Sequence, residues 1–232
     1  MSHPYYHAVS SAKRFGGREE DYLEIHQWFD ATKSVMCDFR HRALRHHMFG
    51  VATAVSVFDQ RRVSHNGVIV NSDHVAVSIE DIGKQHILED CGQYPSGVDW
   101  VLGLKTEQWM IKQSHVTVEE HADKSVARYG GLADDYWPIH EWFHKPYSFL
   151  PQFKARFFLY HSQGIFTCEE VFGAVIRNSQ NFVVPVRAIA EMHVLTELGQ
   201  IPTATNWLSA IVAEPWMRSK ASKLSKQTAE LV

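Results

Sequence analysis

The sequence predicts a mainly α-helical protein of two tandem homologous repeats, each of about five helices plus a small β-hairpin, packed as a pseudo-symmetric dimer within one chain. Three observations carry this. The stretch DFRHRALRHH, Asp38 to His47, has a counterpart 114 positions later in QFKARFFLYH, Gln152 to His161, and the register holds without a gap from His7/His121 through Phe58/Phe172. Along it the copies share Gly16-Gly17/Gly130-Gly131, Asp21/Asp135, His26/His140, Trp28/Trp142, Arg42/Arg156, His47/His161 and Gly50/Gly164. Apolar residues also recur at helical spacing, and each copy corrects the reading of the other. The domain limits that follow are a first repeat over residues 1–112, a second over 113–217 and a polar, basic tail over 218–232 that reads as a solvated, fraying end.

Taken in order, His7 to Phe15 is a first helix closed by Gly16-Gly17 in left-handed conformations. A second helix starts at Asp21/Asp135: Asp21 and Glu24 resemble a capping box, and Pro138 is tolerated in a first turn. Pro146 ends it by about Ala31 or Lys145. A long third helix, capped by Ser34/Ser148 with Pro151 in its first turn, is expected to reach Asp59/Gly173. Its stripe would be Phe39, Ala43, His46, Gly50, Ala54 and Val57, with His47 on the flank and His41 facing away. Val63 to Val70 around Asn66-Gly67 reads as a hairpin with a type I′ turn, and Ile176 to Val186, with its Pro185, as an edge strand.

After the hairpin the register shifts to 107 and the copies meet again at His86/His193, Gly92-Gln93/Gly199-Gln200, Trp100/Trp207 and Trp109-Met110/Trp216-Met217. Glu80 to Cys91 forms a fourth helix stopped by Gly92. A short fifth, capped by Ser96 or Thr203, runs to Trp100 or Trp207. Ile111 to Glu119 links the copies.

Composition narrows the function classes. A hydrophobic fraction of 45% with seven Trp and thirteen Phe supplies a sizeable core. No apolar run approaches the roughly 18 residues of a membrane span, and MSHPYYHAVS lacks a signal peptide's apolar stretch, so no membrane association and a cytoplasmic location are expected. Cys37, Cys91 and Cys168 are odd in number, widely spaced and without counterparts in the other copy, which argues against a disulfide framework or Cys-based zinc site. A net charge of −3 argues against a dedicated nucleic-acid surface. The anomaly is fifteen His.

The His residues fall into a pattern. His86 and Asp90 stand four apart on one helix face, as do His193 and Glu197. With His26 and His47 in the first copy, and His140 and His161 in the second, each repeat offers three His and a carboxylate, a donor set suited to zinc, iron or manganese. His7/His121 is a further candidate, and a satisfied structural network is the alternative. The copies also differ: Asp30, Lys33, His41 and His46 become His144, Tyr147, Ala155 and Tyr160, whereas Glu169 and Glu191 stand where the first copy has Val55 and Lys84. That asymmetry fits either a decayed second site or one composite site. The leading reading is a metal-dependent hydrolase of a nucleotide or phosphoester, with Arg42, His46 and Lys33 as catalytic residues holding a small anionic ligand. The rival is a non-enzymatic binding or interaction protein. No P-loop, nucleophile elbow or dinucleotide fingerprint appears.

HQWFD (His26 to Asp30), DFRHRALRHH and KQHILEDCGQYP (Lys84 to Pro95) resemble the HDWFD, RHRALxHH and GEQHxxED motifs of an uncharacterised bacterial and phage family classed as a domain of unknown function, here in tandem duplication. The chain departs from those motifs at Gln27 and Lys84, and the second copy reads KARFFLYH. The resemblance implies no established activity.

Overall fold

The computed structural model describes residues 3–111, 116–150 and 152–218. The tail beyond Arg218 and Pro151 lie outside the described residues, as do residues 112–115 of the link between the copies. The chain divides into two compact units, the first containing residues up to Gly103 together with Ile211 onward, the second Leu104–Ala210. Sequence repeats and compact units are therefore not coextensive. Residues 104–111 of the first repeat complete the second unit, where Lys105 N–H donates to Ala210 O at 2.8 Å and Trp109 meets Trp207 edge to face at 4.7 Å. In the first unit Trp216, from the second repeat, meets Trp100 in the same way at 4.8 Å.

The first unit contains α1 (Pro4–Phe15), α2 (Glu20–Asp30), 3-10 turns at Ala31–Ser34 and Phe39–Leu44, and α3 (Met48–Gln60). A hairpin of β1 (Val68–Val70) and β2 (Ala76–Ser78) follows, then α4 (Ile79–Cys91) and α5 (Gly97–Val101). The second unit repeats the order with α6 (Val118–Tyr129), α7 (Ala133–His144), 3-10 turns at Lys145–Ser148 and Gln152–Phe158, and α8 (Ser162–Phe172). It continues through β3 (Val175–Arg177), β4 (Val183–Pro185), α9 (Val186–Leu198) and α10 (Ala204–Ser209). The fold class is thus the predicted one, mainly helical with a small hairpin in each repeat. None of the described helices is long and apolar enough to cross a membrane.

Gly16 at φ +79° closes α1, Gly92 at +71° closes α4, and Ser96 caps α5 through a capping box with Asp99, all as expected. Three expectations need correction. The long third helix is one 3-10 segment, Phe39–Leu44, followed by α3, because the chain is extended at His47 (φ −161°) and packs the turn before it so closely that a Cβ on Gly50 would collide with the Arg45 carbonyl. Gly164 stands in the same relation to Leu159. The Asn66-Gly67 turn does form, with both residues at positive φ and His65 bridging Val68, yet the strand it leads into pairs with Ala76–Ser78 instead of folding back on Val63. Finally, α7 starts at Ala133, so Pro138 lies beyond the first turn. Asp135 accepts from Leu132 N–H, and Asp21 accepts from Arg18 N–H and from Ser72 N–H and Oγ–H.

Each core is built around fully buried aromatics: Tyr22, Phe29, Phe58 and Trp100 in the first unit, Tyr136, Phe143, Phe157 and Trp207 in the second. Burial of each contributes roughly 1.5–3 kcal/mol, and their polar edges are used. Trp100 Nε1–H donates to His46 O at 3.0 Å and Trp207 Nε1–H to Tyr160 O at 3.1 Å, which fixes the backbone at His46 and at its counterpart Tyr160.

Candidate metal centre

In the first unit α2 packs against both α1 and α4. On α2, His26 and Asp30 lie one turn apart; on α4, His86 and Asp90 do the same. The facing turns bring Asp30, His46, His86 and Asp90 together, each offering one atom within 4.8 Å of the others. His46 Nε2 lies 3.1 Å from His86 Nε2, 3.3 Å from Asp90 Oδ2 and 3.9 Å from Asp30 Oδ1, and His86 Nε2 lies 3.8 Å from Asp30 Oδ1. Donors about 2.1 Å from one ion stand about 3.0–3.4 Å apart in regular coordination, so these spacings are those of a slightly expanded ligand set. All four residues are buried, at 0–4% exposure.

Burial of two carboxylates and several imidazoles this close together needs compensation. Some comes from the protein. Lys33 Nζ pairs with Asp30 Oδ2 at 2.7 Å, and Arg42 Nε stands 3.4 Å from Asp90 Oδ2. His7 spans Glu89 Oε2 at 2.6 Å and Asp90 Oδ1 at 3.4 Å. Burial opposes charge on His7, but hydrogen bonds to Asp90 and Glu89 outweigh it and push its pKa up to about 9. Burial likewise acts to raise the Asp90 carboxyl, and His46 and His7 more than reverse it, holding Asp90 ionised. Burial also keeps His46 and His86 neutral, the latter helped by the neighbouring His46, His7 and His26. A neutral imidazole and an ionised carboxylate are the forms that bind metal. Among the described residues, Asp30 Oδ1 and His46 Nδ1 are buried without a hydrogen-bond partner. The donor set, two imidazoles and two carboxylates with an unsatisfied oxygen facing the centre, fits a zinc, iron or manganese ion.

Of the residues singled out from sequence, His86 and Asp90 are in this group. His26 is not; it stands behind His86, Nδ1 to Nδ1 at 3.0 Å, and its Nε2 meets Ser11 Oγ at 2.9 Å. His47 is a correction. Its Nδ1 accepts from Gly50 N–H at 3.1 Å, capping α3, and its ring lies parallel to Phe49. His161 caps α8 identically through Gly164 N–H at 2.9 Å. His46, expected to hold an anion, is one of the four donors, whereas Lys33 and Arg42 pair with the carboxylates. His41, expected to face away, is buried, with Thr32 Oγ1 at 3.0 Å from its Nδ1 and its ring edge-on to His46. Asp30 is a donor that the sequence reading does not include; its position four residues after His26 and its presence in one copy only are the signals that mark it.

The second unit keeps the frame and changes the centre. His140 backs His193, Nδ1 to Nδ1 at 2.9 Å, and Ser125 Oγ meets His140 Nε2 at 2.8 Å. His121, His144 and His193 group closely enough to share an ion. However, the Tyr160 hydroxyl, in the place of His46, lies 3.1 Å from His193 Nε2, and Glu197 is taken by Arg156 at 2.5 Å and His121 at 3.2 Å. The rings of His121 and His193 are stacked at 3.8 Å, so their in-plane lone pairs do not converge well on one point. Glu169 is ion-paired with Arg187 inside the same unit.

No curated protein and no solved structure matches the chain. The model of a family described as "Domain of unknown function (DUF6915)" matches twice, over residues 2–110 and 116–217. These two matches cover nearly all of the sequence and coincide with the internal repeat, and the chain therefore belongs to that family and carries its domain as a tandem pair.

Proposed function

We propose that the first unit binds one zinc, iron or manganese ion through Asp30, His46, His86 and Asp90, and that the centre serves hydrolysis of a small phosphoester. The observation that supports metal binding best is the pairing of His86 Nε2 and His46 Nε2 at 3.1 Å in front of two carboxylates. An ion about 2.05 Å from each nitrogen would subtend about 98° there, close to a tetrahedral or octahedral angle. When bound, such an ion supplies Lewis-acid activation of water. Lys33 and Arg42 place two cations beside the carboxylates, where an anionic group could exchange for them, and partly exposed Lys33 leads from Asp30 toward the surface. The burial of the four donors restricts the substrate to a small molecule.

A second reading, a non-enzymatic protein with a structural His/carboxylate network, is favoured by the second unit, where Tyr160 and Arg156 satisfy the matching groups from within the protein. One experiment separates the two. Zinc and manganese are titrated calorimetrically into tag-free, chelator-treated protein, and the loaded protein is assayed on aryl phosphates and nucleotides. One ion per chain and turnover that disappears with chelator are expected. Absence of binding to either metal overturns the proposal in favour of the structural network, and binding without turnover overturns its hydrolytic half.

A further inference from the structure

Gln85, Ser11 and His26 form a chain of hydrogen bonds behind His86 whose direction can be deduced from its far end. Glu89 is an ion pair partner of His7, and its carboxylate only accepts. Gln85 Nε2 stands 2.8 Å from Glu89 Oε1 and 2.9 Å from Ser10 Oγ, so this end of the amide is the NH2 group and the carbonyl faces the other way. That carbonyl lies 3.4 Å from Ser11 Oγ and receives the hydroxyl's single proton. Ser11 must then accept from its other neighbour, His26 Nε2, at 2.9 Å. His26 is fully buried between Ser11 and His86, an environment that favours the neutral ring, so a proton on Nε2 leaves Nδ1 bare. His86 Nδ1, 3.0 Å away, must donate to it. His86 is therefore left with a bare Nε2, aimed at His46 Nε2 and, at 3.8 Å, at the Asp30 carboxylate.

A lone pair facing a carboxylate in a buried site is unfavourable unless a cation or an N–H lies between them. We propose that Gln85, Ser11 and His26 are positioning residues that lock His86 in its Nδ1–H tautomer and so keep Nε2 ready to ligate a metal. The metal half of this statement rests on the function proposed above; the tautomer does not. The second unit gives an internal comparison. There Ser125, His140 and His193 keep the same contacts, and His193 Nε2 meets the Tyr160 hydroxyl, whose pKa burial pushes well above its ordinary value and which therefore retains a proton to give. In the first unit the Gln85 end fixes a bare Nε2 toward the ion site; in the second a phenol able to donate stands in that place. The residue matching Gln85 is Met192, which cannot orient a serine.

The test is long-range proton–nitrogen NMR on chelator-treated protein labelled with ¹⁵N-histidine, with His86 assigned by its absence from the spectrum of His86→Gln. The expected pattern for His86 is a protonated Nδ1 and an unprotonated Nε2. Gln85→Met, which installs the side chain the second unit carries at this place, is expected to mix the tautomers and to weaken zinc binding roughly 10- to 100-fold. Ser11→Ala should do the same, providing a second variant should either fail to fold. A proton on His86 Nε2 in the wild-type protein overturns the proposal, as does a Gln85→Met protein with unchanged tautomer and zinc affinity. If the expected tautomer is found and shifts in the variants but the wild type binds no zinc, the lock stands as a structural device, its proposed metal role is overturned, and the metal centre is what has failed.

Discussion

Replacing Asp30 by Asn separates the proposed function from stability. In the metal-free protein the Asp30 carboxylate pairs with partly exposed Lys33 at 2.7 Å, while its other oxygen stands 3.8–3.9 Å from two imidazoles and, among the described residues, accepts no hydrogen bond. A partly exposed pair contributes about 0–1 kcal/mol, and the substitution also removes a desolvated charge that faces a second carboxylate. The net change expected is within about 1 kcal/mol of zero. Asp90→Asn is different. It deprives Arg42 and His7 of a counter-charge at 3.4 Å and leaves neutral His46 without the carboxylate at 3.3 Å, and uncompensated buried charge of this kind costs about 3–5 kcal/mol. Added zinc at a thousandfold excess over its Kd should stabilise the wild type by about 4 kcal/mol, a rise in Tm of roughly 15 °C or more for a unit of this size. Thermal melts followed by circular dichroism, with chelator and with zinc, read both effects. Asp30→Asn should melt near the wild type in chelator and gain nothing from zinc. An Asp30→Asn protein that loses more than about 3 kcal/mol without metal, or that zinc still protects, would refute this account of the site.

His47→Ala and His161→Ala should behave alike, each lowering stability by about 0.5–2 kcal/mol through loss of a helix cap without changing metal stoichiometry, as denaturant melts and calorimetry will show. Calorimetry should give one ion per chain, and His193→Ala should leave that number at one; a fall to zero would place the ion in the second unit. In that unit burial depresses His140 to about 3 and His161 to about 4, so both are neutral when folded but protonate at about 6.5 when unfolded. Their contribution is fully present above pH 6.5 and is lost as pH falls toward 3–4, at roughly 1.4 kcal/mol per group per pH unit. Two groups amount to roughly 5 kcal/mol by pH 4.5, comparable with the stability of a marginal domain, and circular dichroism should show tertiary structure failing there; persistence at pH 4 would count against the calculation.

Much of the fold was legible because duplication made it so. Glycines at the ends of α1 and α4 and the Ser96 and Thr203 caps recur in both copies, and each has a local cause that sequence displays. The third helix is not legible as it stands, because Phe39 to Val57 keep an apolar period compatible with a helix, while the break at His47 shows only in the close local approach of Gly50 to the Arg45 carbonyl. Gly50/Gly164 was the mark of it, since an invariant glycine inside an apparent helix asks what its missing Cβ would strike. At the site, His86 and Asp90 were found by their spacing on one helix. His47 and the helix fail to match their expectations for one reason: with an extended residue at that point, the His47 ring turns back to cap α3 and His46 takes the inward place. Asp30 could have been found by asking which differences between the copies change metal-binding groups together, since Asp30/His144 and His46/Tyr160 are the two donor positions replaced in the second unit. The exchange of Trp109 and Trp216 between sequence repeats and compact units left no local trace, because both copies carry the same Trp-Met pair and either partner satisfies the pattern.

The central claim is that Asp30, His46, His86 and Asp90 hold one ion. Crystals of tag-free protein grown with zinc, measured on both sides of the zinc absorption edge, test it directly. An anomalous peak lying about 2.0–2.2 Å from one atom of each of these four residues, with no peak among His121, His144 and His193, is the predicted result; no peak in the first unit, or one in the second unit instead, would contradict it.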